Sequence, residues 1–158
     1  MTKKKKYKTV LDPETGLLRI IALTNFSDVK KGDFGGLIEK EDNLSHEGNC
    51  WISGGAWVSG NACVYENARI LGFAHISENA CVGGNAKVYG QAHVSGNAKV
   101  YGEAKICGHV VILKKAKIRG DVKLWSTDFS SIHTSVEDNR EDCIVLGNKK
   151  EFYIIYIY

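Results

Sequence analysis

The sequence lacks an apolar run of transmembrane length, and its lysine-rich start is not followed by the apolar segment and cleavage site of a signal peptide. We therefore expect a cytoplasmic protein. There are five cysteines, an odd number, and their spacing is not that of a disulfide-bonded framework. The cysteines therefore indicate a reducing compartment rather than a disulfide scaffold. The 158 residues suffice for one domain with a hydrophobic core but are too few for two domains of ordinary size.

Motifs for metal, phosphate and nucleic-acid binding are also missing. No CxxC or HxxxH pattern accompanies the cysteines, so we expect no metal site and interpret Cys63 and Cys81 as packed thiols. No glycine-rich segment ends in Gly-Lys-Ser or Gly-Lys-Thr, as a phosphate loop would. The net charge is only +3, and the lysines of the first eight residues outweigh it, so the remainder is slightly acidic. We do not expect long nucleic acid to bind, and we interpret the basic start as a flexible, solubilising end.

What the sequence does contain is a repeat of six residues. From Gly48 to Trp125, thirteen consecutive hexads carry an aliphatic residue at one slot and a small residue, mostly alanine, two positions earlier. A period of six fits neither a helix nor a continuous strand, but it fits a short strand followed by a turn at Gly-Asn or Glu-Asn. Such a unit cannot bury its apolar side alone, so the repeat predicts a solenoid. The aliphatic slots are Ile52, Val58, Val64, Ile70, Ile76, Val82, Val88, Val94, Val100, Ile106, Ile112, Ile118 and Leu124.

Three such sides close a triangular coil of eighteen residues, which predicts an all-β parallel β-helix of about four coils. We assign residues 1–47 to a basic tail, a capping β-hairpin and an irregular entry coil, residues 48–125 to the β-helix, and residues 126–158 to a polar loop and a second β-hairpin. The hairpin strands are predicted at 7–10 and 17–23, and at 143–147 and 151–158, with a loop at 126–142. The last strand is so apolar that we expect an oligomer to cover it.

The hexads resemble those of hexapeptide-repeat proteins that form the left-handed parallel β-helix, as in Val94-Ser95-Gly96-Asn97-Ala98 and Val88-Tyr89-Gly90-Gln91-Ala92. The stretches 31–39 and 43–51 are similar to a narrower group, the phage and prophage hexapeptide-repeat proteins, which are labelled transferases or polymer-forming proteins without a proven activity. The resemblance implies a left-handed coil, a homotrimer and the cytoplasm of a bacterial host. It covers about residues 17–125 and fixes no function, because function belongs to sites rather than folds.

Residues eighteen apart should form vertical columns on the solenoid. The first, the histidine column, carries no fixed charge, so we expect it to be the oligomer interface. Hexapeptide acyltransferases of similar fold use a histidine as general base, which makes His75 and His93 catalytic candidates. No inserted loop is visible to build an acceptor pocket, so we favour packed, interfacial histidines; no carboxylate partner is visible for His46, His109 or His133. The histidine column comprises Trp57, His75, His93 and Val111, beside Ser59, Ser77, Ser95 and Leu113.

The second, the basic column, carries a cation on every rung. Like charges about 4.8 Å apart repel, so they need water, acidic neighbours or a bound anion. The column is either a solvated face or a strip that binds an anionic ligand such as a nucleotide, with an aromatic ring stacking on the base. The candidate ligand-binding residues are Arg69, Lys87, Lys105 and Lys123, with Tyr89 and Trp125 beside them; a third, cysteine column comprises Cys63, Cys81, Lys99 and Lys117.

Three functions fit these columns. The first is a non-enzymatic, trimeric binding protein of phage type that captures a small anionic metabolite or signal nucleotide and thereby blunts a host defence. Its expected partners are other copies of the chain, that ligand or a host defence protein. We expect no cofactor and no membrane contact. The second is an acyltransferase that uses acyl-CoA and a histidine base. The third is a structural virion or scaffold component. We favour the first, because so regular a repeat devotes little sequence to a catalytic pocket.

Overall fold

A computed structural model describes residues 4–113, 115–126, 133–136, 143–147 and 152–156. Its secondary structure is almost entirely short strands, because each hexad supplies only two or so extended residues before the next turn. The strands are β1 (Tyr7–Leu11), β2 (Leu18–Ala22), β3 (Phe34–Ile38), β4 (Trp51–Ile52), β5 (Trp57–Val58), β6 (Cys63–Val64), β7 (Arg69–Ile70), β8 (His75–Ile76), β9 (Cys81–Val82), β10 (Lys87–Val88), β11 (His93–Val94), β12 (Lys99–Val100), β13 (Lys105–Gly108), β14 (Val111–Ile112), β15 (Lys117–Ile118), β16 (Val122–Ser126), β17 (His133–Val136), β18 (Cys143–Gly147) and β19 (Phe152–Tyr156), with a 3₁₀ helix at Glu41–Asn43.

Strands β4 to β16 form the three parallel sides of a β-solenoid. Each strand pairs in parallel with the strand three positions later in the chain. The paired Cα atoms are eighteen residues apart in sequence, as in His75 with His93 and Lys87 with Lys105. The sides run β4-β7-β10-β13-β16, β5-β8-β11-β14 and β6-β9-β12-β15. The predicted fold class and the predicted columns are therefore confirmed; the left hand implied by the resemblance stays a prediction.

The solenoid has about five turns rather than the predicted four. The additional turn comes from residues that precede the hexads: Leu37 of β3 pairs in parallel with Trp57, and Leu44 pairs with Val64. These offsets are twenty residues instead of eighteen. The six-residue period does not extend to this turn, which lies within the coil assigned to residues 1–47, and its backbone continues the same ladders.

The core is a narrow stack of the two inward slots of each hexad. The aliphatic slots from Ile52 to Leu124 and the small slots from Cys50 to Val122 are all at most 1% exposed. Burying one valine or isoleucine side chain contributes about 1.5–3 kcal/mol, so the regular stack supplies the main stabilisation. The intervening side chains point outward, which leaves the three columns on the surface.

In the Gly-Asn and Glu-Asn turns at the corners, the left-handed backbone conformation is adopted by the glycine or glutamate and not by the asparagine that follows it. Glu66 (φ 55°) and Glu78 (φ 57°) take this conformation, as do corner glycines such as Gly84 (φ 62°). A Cβ atom at Gly84 would lie 2.7 Å from the backbone nitrogen of Gly102, one coil away. The close approach of successive corners therefore favours glycine there, in addition to the backbone conformation.

Antiparallel strands flank the solenoid. The predicted N-terminal hairpin is present as β1 paired with β2, and β2 pairs with β3, so the hairpin extends one side of the solenoid. The predicted C-terminal hairpin is present as β18 paired with β19. The expectation of a loop throughout 126–142 is wrong at His133–Val136, which pairs antiparallel with β16 and covers the edge of that strand. Ser126 ends β16, whereas residues 127–132 and 137–142 of that loop, the turn at 148–150 and residues 151, 157 and 158 of the predicted last strand lie outside the described residues.

The described part of the chain contains no helix that could span a lipid bilayer.

Candidate functional site

The basic column forms as expected. Arg69, Lys87, Lys105 and Lys123 are successive Cα partners on β7, β10, β13 and β16, so each cation lies one strand spacing from the next. The aromatic candidates lie beside them: Tyr89 is 36% exposed and Trp125 is 37% exposed, which leaves ring surface available to solvent. All six predicted ligand-binding residues therefore share one side of the solenoid.

A groove of about 380 Å³ opens at the N-terminal end of this side. Two of the predicted residues, Arg69 and Lys87, line it, whereas Tyr89, Lys105, Lys123 and Trp125 lie outside it. Its remaining lining residues are Ser27, Asp28, Asn49, Asn67, Leu71 and Asn85. The groove thus joins two cations to a wall of amides.

Asp28 forms an ion pair with Arg69. The guanidinium side chain is only 15% exposed, whereas the Asp28 side chain is 78% exposed. Arg69 pairs along the sheet with the buried Trp51, and burial lowers the pKa of the guanidinium. Asp28 sits in a tight turn in which Phe26 and Val29 exchange backbone hydrogen bonds and Ser27 has a φ of 48°. The capping segment therefore presents a carboxylate to a largely enclosed cation of the column.

An asparagine ladder forms one wall of the groove. The amide of Asn67 donates to Asn85 Oδ1 (3.2 Å), Asn85 donates to Glu103 Oε1 (2.6 Å), and the backbone N–H of Asn49 donates to Asn67 Oδ1 (3.3 Å). These asparagines repeat at intervals of eighteen in the sequence, so the ladder could have been found from the same spacing as the cations. Asp28 carries no such signal, because it lies outside the repeat.

The histidine column is a continuous stack. The Trp57 and His75 rings lie 4.2 Å apart, and the His75 and His93 rings lie 4.7 Å apart with 16° between their planes. Ser59 Oγ hydrogen-bonds to His75 Nε2 (3.1 Å), and Ser77 Oγ does so to His93 Nε2 (3.2 Å). Of the other predicted interface residues, Val111 pairs with His93 along the sheet, and Ser95 is buried.

Both imidazoles in this stack are neutral near pH 7. Burial, together with the neighbouring His93, lowers the pKa of His75 to about 4. Burial also lowers the pKa of His93, which Glu78 partly offsets. A neutral imidazole can accept a proton, as a general base must. Here, however, each Nε2 is already bonded to a serine and the His75 ring is covered on both faces, so the arrangement favours packing.

Lys6 differs from the prediction that the N-terminal lysines form a flexible, solubilising end. Lys6 as a residue is 5% exposed, and its ammonium donates to Cys50 O (2.8 Å), Gly48 O (3.3 Å) and Cys50 Sγ (3.3 Å). It also lies 5.0 Å from the centre of the Phe26 ring. Burial lowers the pKa of Lys6 and raises that of Cys50. Lys6 therefore anchors the cap to the first coil.

His46 has the carboxylate partner that was not visible in the sequence. Its Nε2 lies 2.7 Å from Glu41 Oε1, and its Nδ1 accepts the backbone N–H of Lys6 (3.2 Å). Because Nδ1 accepts, the proton lies on Nε2 and is donated to Glu41. The ring also stacks on Tyr7 at 4.1 Å, so His46 joins the cap to the solenoid. Within the described residues, no three His, Cys, Asp or Glu side chains converge to hold a metal ion.

Comparison with known proteins gives one short match. No protein-family model matches the chain. The sequence is 53% identical over 36 residues to a protein of Escherichia coli (strain K12) described as "Uncharacterized acetyltransferase YdcK". The match covers 23% of this chain and 11% of that protein. Together with the β-solenoid, it fits a hexapeptide-repeat family.

Proposed function

We propose that the protein is a non-enzymatic, self-associating binding protein that holds a small anionic ligand, such as a nucleotide, on its basic column. The observation that carries this proposal is the groove in which Arg69 and Lys87 face an amide wall. Cations supply attraction for phosphate or carboxylate oxygens, and amides supply hydrogen bonds of fixed direction. The narrower identity, a trimeric phage-type protein that blunts a host defence, belongs to the same proposal and rests on the sequence resemblance.

The ion pair at Arg69 supports this assignment. The Asp28 carboxylate occupies the position that an oxygen of an external anion would take on the guanidinium. Because the Asp28 side chain is largely exposed, it can swing away at small cost. The next cation, Lys87, is exposed and lies one strand spacing along the column. A ligand with two anionic groups would therefore span Arg69 and Lys87.

Aromatic side chains suggest which anion fits. Tyr89 follows Lys87 by two residues on the same outward face, and its ring is partly exposed. A nucleobase can stack on such a ring while its phosphates meet the cations. A nucleotide uses both features, whereas inorganic phosphate uses only the cations. Nucleotides are thus the ligand class that we assign to this column.

Calorimetric titration with ATP, adenosine and inorganic phosphate tests the proposal. We expect ATP to bind, adenosine to bind far more weakly, and Lys87→Ala or Lys105→Ala to weaken ATP binding by about 5- to 10-fold, as loss of a charge-assisted contact predicts. Lys99→Ala is the matched control, because Lys99 occupies the equivalent slot on the cysteine column and is also exposed. Equal weakening by Lys99→Ala, or no binding of ATP at all, would refute the proposal. Native mass spectrometry of freshly purified protein would reveal a retained ligand.

An acyl-CoA-dependent acyltransferase is the second candidate. Two observations favour it: the neutral histidines and the short match to a protein named as an acetyltransferase. Its anionic cofactor would use the same lysines, so the histidines discriminate. A transferase should lose acetyl-CoA turnover in His75→Ala or His93→Ala while retaining CoA affinity. A binding protein should show no turnover and retain its ligand affinity in both variants.

A further inference from the structure

The cysteine column places two thiols in direct contact. Cys63 and Cys81 are Cα partners on β6 and β9, one coil apart, and their Sγ atoms are separated by 2.9 Å. The Cys63 thiol donates to Cys81 Sγ, and the Cys81 thiol in turn points to the backbone oxygen of Asn79 (3.8 Å). Both cysteines are free and only partly buried, so the pair is accessible from solvent.

The spacing suits a covalent bond between the sulfurs better than a shared metal ion. Two thiolates bound to one zinc-sized ion, with metal–sulfur bonds of about 2.3 Å, would lie roughly 3.7–4.6 Å apart. A disulfide needs about 2.05 Å between sulfurs and about 4.4–6.8 Å between Cα atoms, and parallel neighbours about 4.8 Å apart satisfy the latter. Closing from 2.9 Å requires only a small side-chain movement.

The surroundings differentiate the two sulfurs. Burial and the hydrogen bond to Cys81 raise the pKa of Cys63 to about 12, so Cys63 retains its proton. Cys81 receives that hydrogen bond, and the ammonium-bearing Lys99 is its partner on the next rung. Cys81 is therefore the sulfur better placed to attack an oxidant first.

We propose that Cys63 and Cys81 form a reversible disulfide that cross-links two consecutive coils when a peroxide is present. The Cys81 thiol gives up its proton as its sulfur attacks hydrogen peroxide, the O–O bond breaks, and sulfenic acid and hydroxide form; the hydroxide takes up that proton to give the first water. The Cys63 sulfur then displaces the sulfenic oxygen, which leaves as water with the Cys63 proton. In sum, two thiols and one peroxide give one disulfide and two waters, and a thiol reductant reverses the reaction.

The cross-link should make the solenoid more stable. It closes a loop of eighteen residues in the unfolded chain, which lowers the entropy of unfolding while the native coils stay in register. We expect the oxidised protein to melt about 5–10 °C higher than the reduced protein. A single side chain pair would thus make the stability of the solenoid depend on the redox state of its surroundings.

Thiol counting on the full chain tests the proposal. Native protein treated with hydrogen peroxide, then unfolded and alkylated, should fall from five alkylatable cysteines to three, and dithiothreitol should restore all five. Peptide mapping should find residues 63 and 81 joined within one chain. The Cys63→Ser and Cys81→Ser variants should each lose the intramolecular link, with folding checked by circular dichroism.

Cys107→Ser is the matched control, because Cys107 is a partly buried thiol on the same solenoid but lies beside the basic column. This variant should form the 63–81 link at the wild-type rate. Retention of both thiols after peroxide treatment of the native protein would overturn the proposal. So would cross-links that join different chains or other cysteines in place of this pair.

Discussion

The imidazoles of His75 and His93 stack face to face, one coil apart, with 4.7 Å between their centres. Each is fixed at Nε2 by the serine of the coil before it in the chain, at 3.1 and 3.2 Å. Both rings are neutral near pH 7, because partial burial disfavours the charged form. Protonation of His75 would place a positive charge directly against the neighbouring ring. The stack is therefore a pH-sensitive part of the solenoid.

We predict that acid destabilises the protein through His75. The unfolded state takes up a proton near the ordinary pKa of about 6.5, whereas folded His75 does so only at about 4. Stability is thus unaffected above the unfolded pKa and falls as the pH drops from about 6.5 to about 4. Because the ring is only half-buried and solvent screens it, we expect a loss of about 1 kcal/mol in the free energy of unfolding. Thermal melting between pH 8 and pH 4 measures it.

The variant His75→Gln should melt with a shallower dependence on pH over this range, since the group that titrates is gone. Asn97→Gln, at an exposed corner of the same solenoid, removes no titrating group and should keep the wild-type slope. Identical slopes for the wild type and His75→Gln would contradict the prediction. Carboxylates also titrate in this range, so the comparison uses the difference between variants rather than the absolute slope.

We predict that the histidine column is the surface through which copies of the chain associate. Its rungs carry no fixed charge, and Ser77 is partly exposed next to the imidazole of His93. Ser77→Glu or His93→Glu would place a carboxylate in the contact, which a self-complementary interface would have to bury or repel. Both variants should be monomeric by light scattering. Lys99→Glu, on the cysteine column, should keep the wild-type mass, and unchanged mass in Ser77→Glu would place the interface elsewhere.

The solenoid and its columns were predictable because every hexad repeats the same local choice. Thirteen repeats fix which side chains point inward, and the eighteen-residue coil fixes which surface residues become neighbours, as with Lys87 and Lys105. Contacts outside the repeat carry no such periodicity. Asp28 reaches Arg69 across more than two coils of sequence, and the first turn departs from the spacing by two residues. The sequence therefore predicts the cations of the groove but not the carboxylate that meets them.

We predict that Asp28 competes with anionic ligands for Arg69. Asp28→Asn removes the competing carboxylate and leaves the turn at Ser27 in place, so ATP affinity should rise about 3- to 10-fold. Because the Arg69 side chain is only 15% exposed, losing its carboxylate partner should cost about 1–3 kcal/mol in stability. Asp42→Asn, an exposed position on the 3₁₀ helix, changes the net charge equally and should leave the affinity unchanged. Titration calorimetry measures both, and equal gains in the two variants would indicate only a general charge effect.

The two neighbouring lysines Lys5 and Lys6 provide the sharpest test of how the cap is held. The Lys5 ammonium forms an exposed ion pair with Glu41 (2.9 Å), whereas the Lys6 ammonium is buried against two carbonyl oxygens and the Cys50 sulfur. Lys6→Ala would leave these buried groups without their donor and remove the side chain beside Phe26. We expect a loss of about 2–4 kcal/mol in the free energy of unfolding. Lys5→Ala should cost at most about 1 kcal/mol, because exposed ion pairs contribute little.

Urea unfolding at neutral pH compares the two variants directly, since both remove one positive charge from adjacent positions. The midpoint for Lys6→Ala should fall clearly below that for Lys5→Ala, with a similar slope if the solenoid still unfolds as one unit. A lower slope in Lys6→Ala would mean that the cap has already detached in the absence of denaturant. Equal midpoints would show that Lys6 is solvated in solution, as the sequence alone suggests, and that the cap is held by Tyr7, His46 and the strand pairing of β2 with β3.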